Sequence, residues 1–392
     1  MNKYIQDSVR NNLRCIVRGM TKPQQKSIQE ITRGLFVAGT PILRHLIQDE
    51  NKTAKKQAEK YSYHLGNVEL KEKINAFAFR KAKQSINSTT IIAYDLTDIS
   101  KEAAKKMEHL SRVFDGSKRK VTNGYTLHGV GINNLLVKLE THDSEAKTLN
   151  QTRRKIVKSI SERLDQNGIW IFDRGNDNKQ FFKDLQHNLK AQFIARLREN
   201  RQVVMAKTGV IIQIKDIPAG KYEVFLMNLH NTKVDTQFKF TLVIGEHMEG
   251  KVPIRLLSNL GINEYSIKKF ITMYLERWGV ENIFKRIKTK FELEKIRVLS
   301  YEKYLNLIAL IQFAVVVSTL IFNHLHKVTN SLITSVILMY KKFLRLKNLT
   351  FNIDSFISYM RVSLTPFIFR RPIHKNQPPL FSRRCLEKLG TF

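Results

Sequence analysis

Cysteine is scarce in this chain. Two of the 392 residues are cysteines, Cys15 and Cys385, and they lie at opposite ends, outside any Cys-x2-Cys or Cys/His spacing. Neither a disulfide framework nor a zinc finger is therefore indicated. Residues 1–19 also lack an apolar core of signal-peptide length, so we expect a reducing, cytoplasmic location rather than secretion.

Acidic residues are few in comparison with basic ones. The chain has 34 Asp and Glu against 67 Lys and Arg, which gives a formal net charge of +33. The basic residues extend from Lys3 to Lys388, a spread that fits a long nucleic-acid track better than a membrane-anchoring patch. A polyanionic partner is the simplest explanation, although charge alone does not separate DNA from RNA.

Long uncharged runs are also rare, and one has the length of a membrane span. Residues 305–322 carry no charge over eighteen positions, which passes a simple transmembrane filter. Asn306 and Gln312 lie within the run, so we predict a buried helix packed on a protein core and no membrane partner. The membrane alternative predicts that the chain partitions into lipid.

Four polar residues share a regular spacing near the middle of the chain. Tyr274, Arg277, Glu281 and Lys288 follow the pattern Tyr-x2-Arg-x3-Glu-x6-Lys, inside a segment predicted as one helix over 266–290. Steps of three, seven and fourteen residues return to nearly the same helical face. A carboxylate beside several cations suits a group that holds a metal while its neighbours hold phosphates. A solvated face with weak ion pairs would produce a similar pattern.

Two aspartates follow apolar runs that predict strands. Asp95 directly follows the run of residues 89–94, and Asp173 directly follows the run 169–172, so each would end a strand. The two predicted strands alternate with predicted helices, as in an α/β core. Asp98 and Asp177 are nearby competitors, but each lies farther from its apolar run.

Three carboxylates, Asp95, Asp173 and Glu281, are thus candidate metal ligands and catalytic groups. Cleavage and rejoining of DNA requires a hydroxyl to be deprotonated and a leaving oxygen to be neutralised, which two divalent ions can do. Mg²⁺ prefers oxygen ligands, so we expect two Mg²⁺ ions, with Mn²⁺ as a substitute.

These residues carry a family resemblance. The Tyr-x2-Arg-x3-Glu-x6-Lys spacing, called YREK, resembles the signature of DDE transposases from bacterial insertion sequences. Further similar stretches are Phe172–Gly175, Phe193–Arg198 and Leu256–Asn259, and the resemblance covers roughly Ile91 to Leu310. The order Asp, Asp, Glu matches as well.

The resemblance implies a DNA transposase that acts by cut-and-paste transposition on its own inverted repeats. It implies DNA-phosphate contacts at Tyr274, Arg277, Lys288 and Arg196. The implied partners are double-stranded DNA, as terminal inverted repeats and target, and a second copy of the chain in a paired-end complex. The implied location is the bacterial cytoplasm, in association with the nucleoid.

The predicted fold class is α/β, with an RNase H-like catalytic core, an inserted β subdomain, and helical N-terminal and C-terminal regions. The predicted divisions are a helical DNA-binding region at 1–85, the first part of the core at 86–202, the β insertion at 203–255, the second part of the core at 256–300, and a hydrophobic helix with a basic C-terminal region at 301–392.

Two other functions remain open from the sequence. An RNase H-like nuclease or resolvase would use the same carboxylates without strand transfer. A transposase-derived DNA-binding protein would be catalytically silent, and the presence of Asp95, Asp173 and Glu281 argues against it.

Overall fold

Eleven strands of the described chain form one continuous sheet. The computed structural model describes residues 2–46, 52–116, 118–227, 234, 236–246, 253–328 and 352–368. The strands in chain order are β1 Ile91–Ser100, β2 Ser111–Asp115, β3 Lys120–Ile132, β4 Leu135–Thr141, β5 Ile169–Phe172, β6 Gln192–Arg196, β7 Gln202–Met205, β8 Ile211–Gln213, β9 Gly220–Leu226, β10 Lys239–Glu246 and β11 Pro253–Ser258.

The structure also describes ten helices. They are α1 Asn2–Val17, α2 Lys22–Ala38, α3 Ala54–Leu65, α4 Lys71–Lys83, α5 Leu149–Arg163, α6 Lys179–His187, α7 Ile267–Leu275, α8 Trp278–Lys290, α9 Tyr301–Val328 and α10 Ile353–Ile368. The first four precede the sheet in sequence, and the last two follow it. The prediction of a mixed α/β fold is therefore confirmed.

The centre of the sheet combines parallel and antiparallel pairing. The strand order is β2-β3-β1-β5-β6-β11-β10-β9-β7-β8, and β4 pairs with β3. Strand β1 runs parallel to β5 and antiparallel to β3, and β5 runs parallel to β6. The four residues of β5 are all buried, as expected for a parallel strand covered on both faces.

The two faces of β5 contact different helices because successive side chains point to opposite sides. Trp170 donates a hydrogen bond to Ser161 of α5 at 3.0 Å, and the Phe172 ring lies 5.0 Å from that of Phe181 in α6. Ile169 and Ile171 instead belong to the apolar cluster formed with α7. Residues whose side chains point to the same face of the sheet as Ile171 therefore face α7.

Strands β3 and β4 form a hairpin. Strands β3 and β4 are joined at Asn133 and Asn134, which have φ angles of 50° and 63°. Asparagine tolerates this left-handed region, and a two-residue turn with both φ angles positive matches the twist of paired strands.

The strands predicted as a β insertion extend the main sheet. Strand β11 pairs directly with β6, between Leu257 and Ala195, and β10, β9, β7 and β8 follow outward. The chain thus leaves the central sheet after β6 and returns next to it at β11.

The uncharged run lies in α9, at the centre of the helical layer. Within the described chain, one helix, Tyr301–Lys327, is long and apolar enough to cross a membrane, and 83% of its most apolar window is buried inside the protein. It packs against α1 to α4, β4 and α10. Helix α10 also contacts α8, whereas most of the basic C-terminal tail lies outside the described residues.

Candidate active site

The parallel ladder between β1 and β5 places two aspartates side by side. Its last residue pair is Tyr94 with Phe172, and the next residue on each strand is Asp95 and Asp173. Because side chains alternate between the two faces of a sheet, the side chains of Asp95 and Asp173 point to the same face as that of Ile171. This is the face that α7 covers.

The expectation that Asp95 ends its strand is wrong. Strand β1 continues to Ser100 because its other edge stays paired with β3, from Ile92 with Ile132 to Ser100 with Gly124. Asp95 therefore marks the end of the parallel ladder rather than the end of the strand. Asp173 does follow the last residue of β5.

The segment that carries Glu281 is two helices, not the one predicted. Helix α7 ends at Leu275 and α8 begins at Trp278. At the junction the amide of Glu276 donates to the carbonyl of Met273, and the amide of Arg277 donates to the carbonyl of Tyr274. These i→i−3 hydrogen bonds, typical of a 3-10 helix, replace the i→i−4 bonds of an α-helix. The tighter winding interrupts the regular helix between Tyr274 and Glu281.

Tyr274 and Arg277 connect the three candidate carboxylates. The Tyr274 hydroxyl donates to Oδ1 of Asp173 at 3.3 Å. Nη1 of Arg277 lies 2.5 Å from Oε1 of Glu281 and 3.4 Å from Oδ2 of Asp95. Arg277 also lies over the Tyr274 ring, 5.8 Å from its centre, so the structure brings five of the seven predicted site residues into one group.

Burial changes the acidity of this group. Burial raises the pKa of Asp95 to about 6, against the lowering effects of the Leu96 amide and Arg277. The charges of Glu281 and Asp173 raise it further. Burial also raises the pKa of Tyr274. Burial alone would lower the pKa of Arg277, but Tyr274, Asp173 and Glu281 raise it above its usual value. The tyrosine is consequently a proton donor and the arginine a permanent cation.

The carboxylates have the chemistry of a divalent-metal site, and Arg277 bridges two of them, Asp95 and Glu281. Within the part of the chain that the structure describes, one group of metal-ligand side chains has its ligand atoms all within 4.8 Å of one another, namely His109, Asp143 and Glu145. The carboxylate oxygens of Asp95, Asp173 and Glu281 are not all this close to one another. The Arg277 guanidinium lies between Asp95 and Glu281 and offsets the repulsion between their negative charges. A metal ion shared by the two carboxylates would have the same effect at this place. The side chain of Glu281 is 46% exposed, which leaves it room to turn toward a metal.

Lys288 and Arg196 lie at the margins of this group. The Lys288 ammonium donates to the carbonyl of Asp98 at 2.7 Å and lies 3.5 Å from Oε1 of Glu294, so it is not brought to the carboxylates. Arg196 is the last residue of β6, and its charge acts to lower the pKa of Tyr274. Arg196 is thus close enough to influence the site electrostatically.

The two competing aspartates have other partners. Asp98 accepts a hydrogen bond from the Thr126 hydroxyl at 2.5 Å. The buried Asp177 lies 2.5 Å from Nη2 of Arg201 and accepts from the amide of Arg198 at 3.0 Å. Asp177 therefore anchors the chain that follows β6.

Gly129 is a site component that the sequence analysis missed. It is paired with Asp95 across β1 and β3, and the Phe284 ring of α8 lies where a side chain at this position would begin. The missing side chain lets α8 approach the strand that carries Asp95. A glycine inside a strand pattern is the signal for such a close approach.

The fold and the site define an α/β protein with two strand-borne aspartates and a helix-borne glutamate. Residues 86–317 match the family model described as Transposase DDE domain, which is more than half of the chain. The chain belongs to this family. A comparison with curated proteins gives no match. A solved structure described as a cryo-EM structure of the piggyBac transposase synaptic complex with hairpin DNA is similar, with 12% identity and a TM-score of 0.48, over 99% of this chain and 82% of that one.

Proposed function

We propose that the protein is a DNA transposase that binds the inverted repeats of its own insertion sequence and catalyses metal-dependent strand cleavage and strand transfer. The observation that carries the proposal is the grouping of Asp95, Asp173 and Glu281 around Arg277 and Tyr274, in a chain of the Transposase DDE domain family. The formal charge of +33 supports a DNA partner.

The central strands support an RNase H-like core. The order β4-β3-β1-β5-β6, with β5 and β6 parallel to β1 and β3 antiparallel to it, places the aspartates on adjacent central strands. In this proposal residues 86–202 and 256–300 form the core and 203–255 the β insertion. Residues 1–85 bind DNA, and 301–392 complete the helical layer and the basic tail.

Two Mg²⁺ ions, replaceable by Mn²⁺, fit the donor set of Asp95, Asp173 and Glu281. Carboxylate oxygens are the ligands these ions prefer, and the cation already drawn between two of the carboxylates supports a requirement for positive charge there. Bound Mg²⁺ would activate the attacking hydroxyl and neutralise the leaving oxygen.

The neighbouring residues hold the DNA backbone in this proposal. Tyr274 orients Asp173 through its hydroxyl, and Arg277 exchanges its carboxylate partners for phosphate oxygens, which its planar fork fits well. Arg196 and Lys288 contact phosphates farther along the strand. Tyr274, Arg277, Glu281 and Lys288, with their spacing, correspond in this proposal to the YREK signature of bacterial insertion sequences.

The proposed assembly is a homodimer in a paired-end complex, which contacts terminal repeats and target DNA. Its proposed location is the bacterial cytoplasm, in association with the nucleoid. A chain bound to genomic DNA through a strongly basic surface would be found there.

The test is cleavage of DNA that carries the repeats flanking the gene, with Mg²⁺ or Mn²⁺ and separation of the products on a denaturing gel. Glu281→Gln should abolish cleavage and joining while it leaves DNA binding intact. Glu276→Gln is the matched control, because this exposed acid lies in the same segment and has no contact with the site carboxylates. Cleavage without joined products would indicate a nuclease instead. Binding without any metal-dependent cleavage would indicate a silent derivative.

A further inference from the structure

A buried arginine lies behind the sheet, on the opposite face from the candidate carboxylates. Arg153 of α5 is 5% exposed. Its Nη2 donates to Oδ1 of Asn150 at 2.8 Å, and its guanidinium carbon lies 3.8 Å from the centre of the Phe181 ring. Its Nη1 donates a short hydrogen bond to Oδ1 of Asn176. The guanidinium is therefore held by two amides and one aromatic ring.

Arg153 has no acidic partner among the residues that the structure describes. No carboxylate oxygen there lies within 4 Å of its nitrogens, and its Nε makes no hydrogen bond. Burial lowers the pKa of Arg153 to about 10. A buried cation without a counter-charge costs free energy of folding. Packing alone would be served better by an apolar side chain of similar length.

Asn176 connects this arginine to the second aspartate. It is the last residue of the 3-10 turn Arg174–Asn176, directly after Asp173, and is 5% exposed. Its backbone amide and its Nδ2 both donate to the carbonyl of Asp173, at 2.9 Å and 3.3 Å. Since Oδ1 of Asn176 accepts from Arg153, the orientation of the whole amide is determined.

The position of Asp173 otherwise has little support. The parallel ladder ends one residue earlier, at Phe172, and a three-residue 3-10 turn is weak alone. Among the described residues the carboxylate receives one hydrogen bond, from Tyr274, and its charge interacts with that of Arg277. Metal ligands must be held within a few tenths of an ångström of their working positions.

Resting on the proposed metal-dependent function, we propose that Arg153 is a positioning residue: through Asn176 it fixes the main chain of Asp173 and so aims that carboxylate at the metal. Arg153 itself touches neither metal nor DNA. Its effect passes through the side-chain amide of Asn176, so Arg153 and Asn176 act as one unit.

The test measures Mn²⁺ binding to the full-length protein without DNA, by electron paramagnetic resonance of free Mn²⁺. Asp173→Asn identifies the binding that depends on this site and separates it from other weak sites. Arg153→Met and Asn176→Ala should each raise the Kd of that binding at least tenfold. The double variant should be no weaker than the weaker single variant, because both changes break the same connection.

Arg154→Met is the matched control. Arg154 is the next residue of the same helix, and its ion pair with Asp184, at 2.8 Å, does not reach Asp173. It should leave the Kd for Mn²⁺ unchanged. A purely structural role for Arg153 would lower the melting temperature and leave the Kd of the folded protein as in the wild type, and that result would overturn the proposal.

Two further results are equally decisive. If Arg153→Met does not fold, Asn176→Ala decides alone, since wild-type Mn²⁺ affinity in that variant overturns the proposal and a tenfold loss supports it. If Asp173→Asn itself binds Mn²⁺ as the wild type does, the carboxylate assignment fails and the positioning role fails with it. Loss in Asp173→Asn with no loss in the other variants removes only the positioning role.

Discussion

Arg277 forms an ion pair with Glu281 one helical turn later, and Nη1 lies 2.5 Å from Oε1. The same nitrogen is 3.4 Å from Oδ2 of Asp95. One cation is thus shared by a strand residue and a helix residue. Because a guanidinium and a divalent metal compete for the same carboxylates, removing the guanidinium should favour the metal.

Arg277→Gln should therefore strengthen Mn²⁺ binding in the DNA-free protein by roughly tenfold, since a nearby competing charge is removed. The same change should reduce DNA cleavage, because the fork that holds phosphate oxygens is lost. Isothermal titration with Mn²⁺ and a cleavage assay measure the two effects. Arg286→Gln is the control, since Arg286 is paired with Asp354 at 3.0 Å, away from the carboxylates. Weaker Mn²⁺ binding in Arg277→Gln would show that the arginine supports the site instead of competing for it.

Metal binding should depend on pH through Asp95. Burial raises the pKa of Asp95 to about 6 in the metal-free protein. A metal binds the carboxylate and not the acid, so affinity should be full above pH 7 and should fall below pH 6, by up to about tenfold per pH unit. Mn²⁺ titrations between pH 5 and pH 8 measure this. Asp95→Asn should bind Mn²⁺ weakly throughout and lose this part of the pH dependence. An unchanged affinity between pH 7 and pH 5 would contradict the prediction.

Gly129→Ala should disturb the site from the side of α8. The added methyl group meets the Phe284 ring, so α8 must move away from β3 or the ring must leave its position. We expect a loss of about 1–3 kcal/mol in the free energy of unfolding, together with slower cleavage. Adding Phe284→Leu should recover part of both. Gly116→Ala, where a methyl group meets open space, should change neither. Chemical denaturation and the cleavage assay decide, and full activity in Gly129→Ala would refute the close-approach argument.

Asn306→Leu should destabilise the protein although it makes α9 more apolar. The Asn306 side chain accepts from the amide of Leu70 at 2.9 Å and donates to the carbonyls of Leu65 and Val68 at 3.0 Å and 2.8 Å. The leucine removes the partner of three backbone groups, two in buried hydrogen bonds and one in a partly buried one, which costs about 2–4 kcal/mol. Ser318→Ala, whose hydroxyl donates to a carbonyl of its own helix, should cost less. A gain in unfolding free energy for Asn306→Leu would be incompatible with the buried-helix packing.

The strands that lead to the two aspartates could be predicted from local sequence patterns. The run Ile169–Phe172 is β5 as predicted, and the apolar residues before Asp95 lie in β1. The continuation of β1 beyond Asp95 was not accessible, because it depends on antiparallel pairing with β3. Glu281 was identified by its place in the Tyr-x2-Arg-x3-Glu-x6-Lys spacing, although the segment predicted as one helix is two.

Other features were hidden for different physical reasons. Arg153 and Arg154 are adjacent residues of the same type, and the helical phase buries the first and leaves the second partly exposed. The hairpin turn at Asn133 and Asn134 depends on the pairing of β3 with β4, which the local residue pattern does not determine.

The packing of α9 has a consequence for biosynthesis. Most of the surfaces that cover this helix, α1 to α4 and β4, precede it in the chain. When the eighteen uncharged residues leave the ribosome, their cover has already been translated, and α10 is the described helix that follows. Burial can then begin during translation, which shortens the time in which the nascent segment is open to chaperones or to the membrane-insertion machinery.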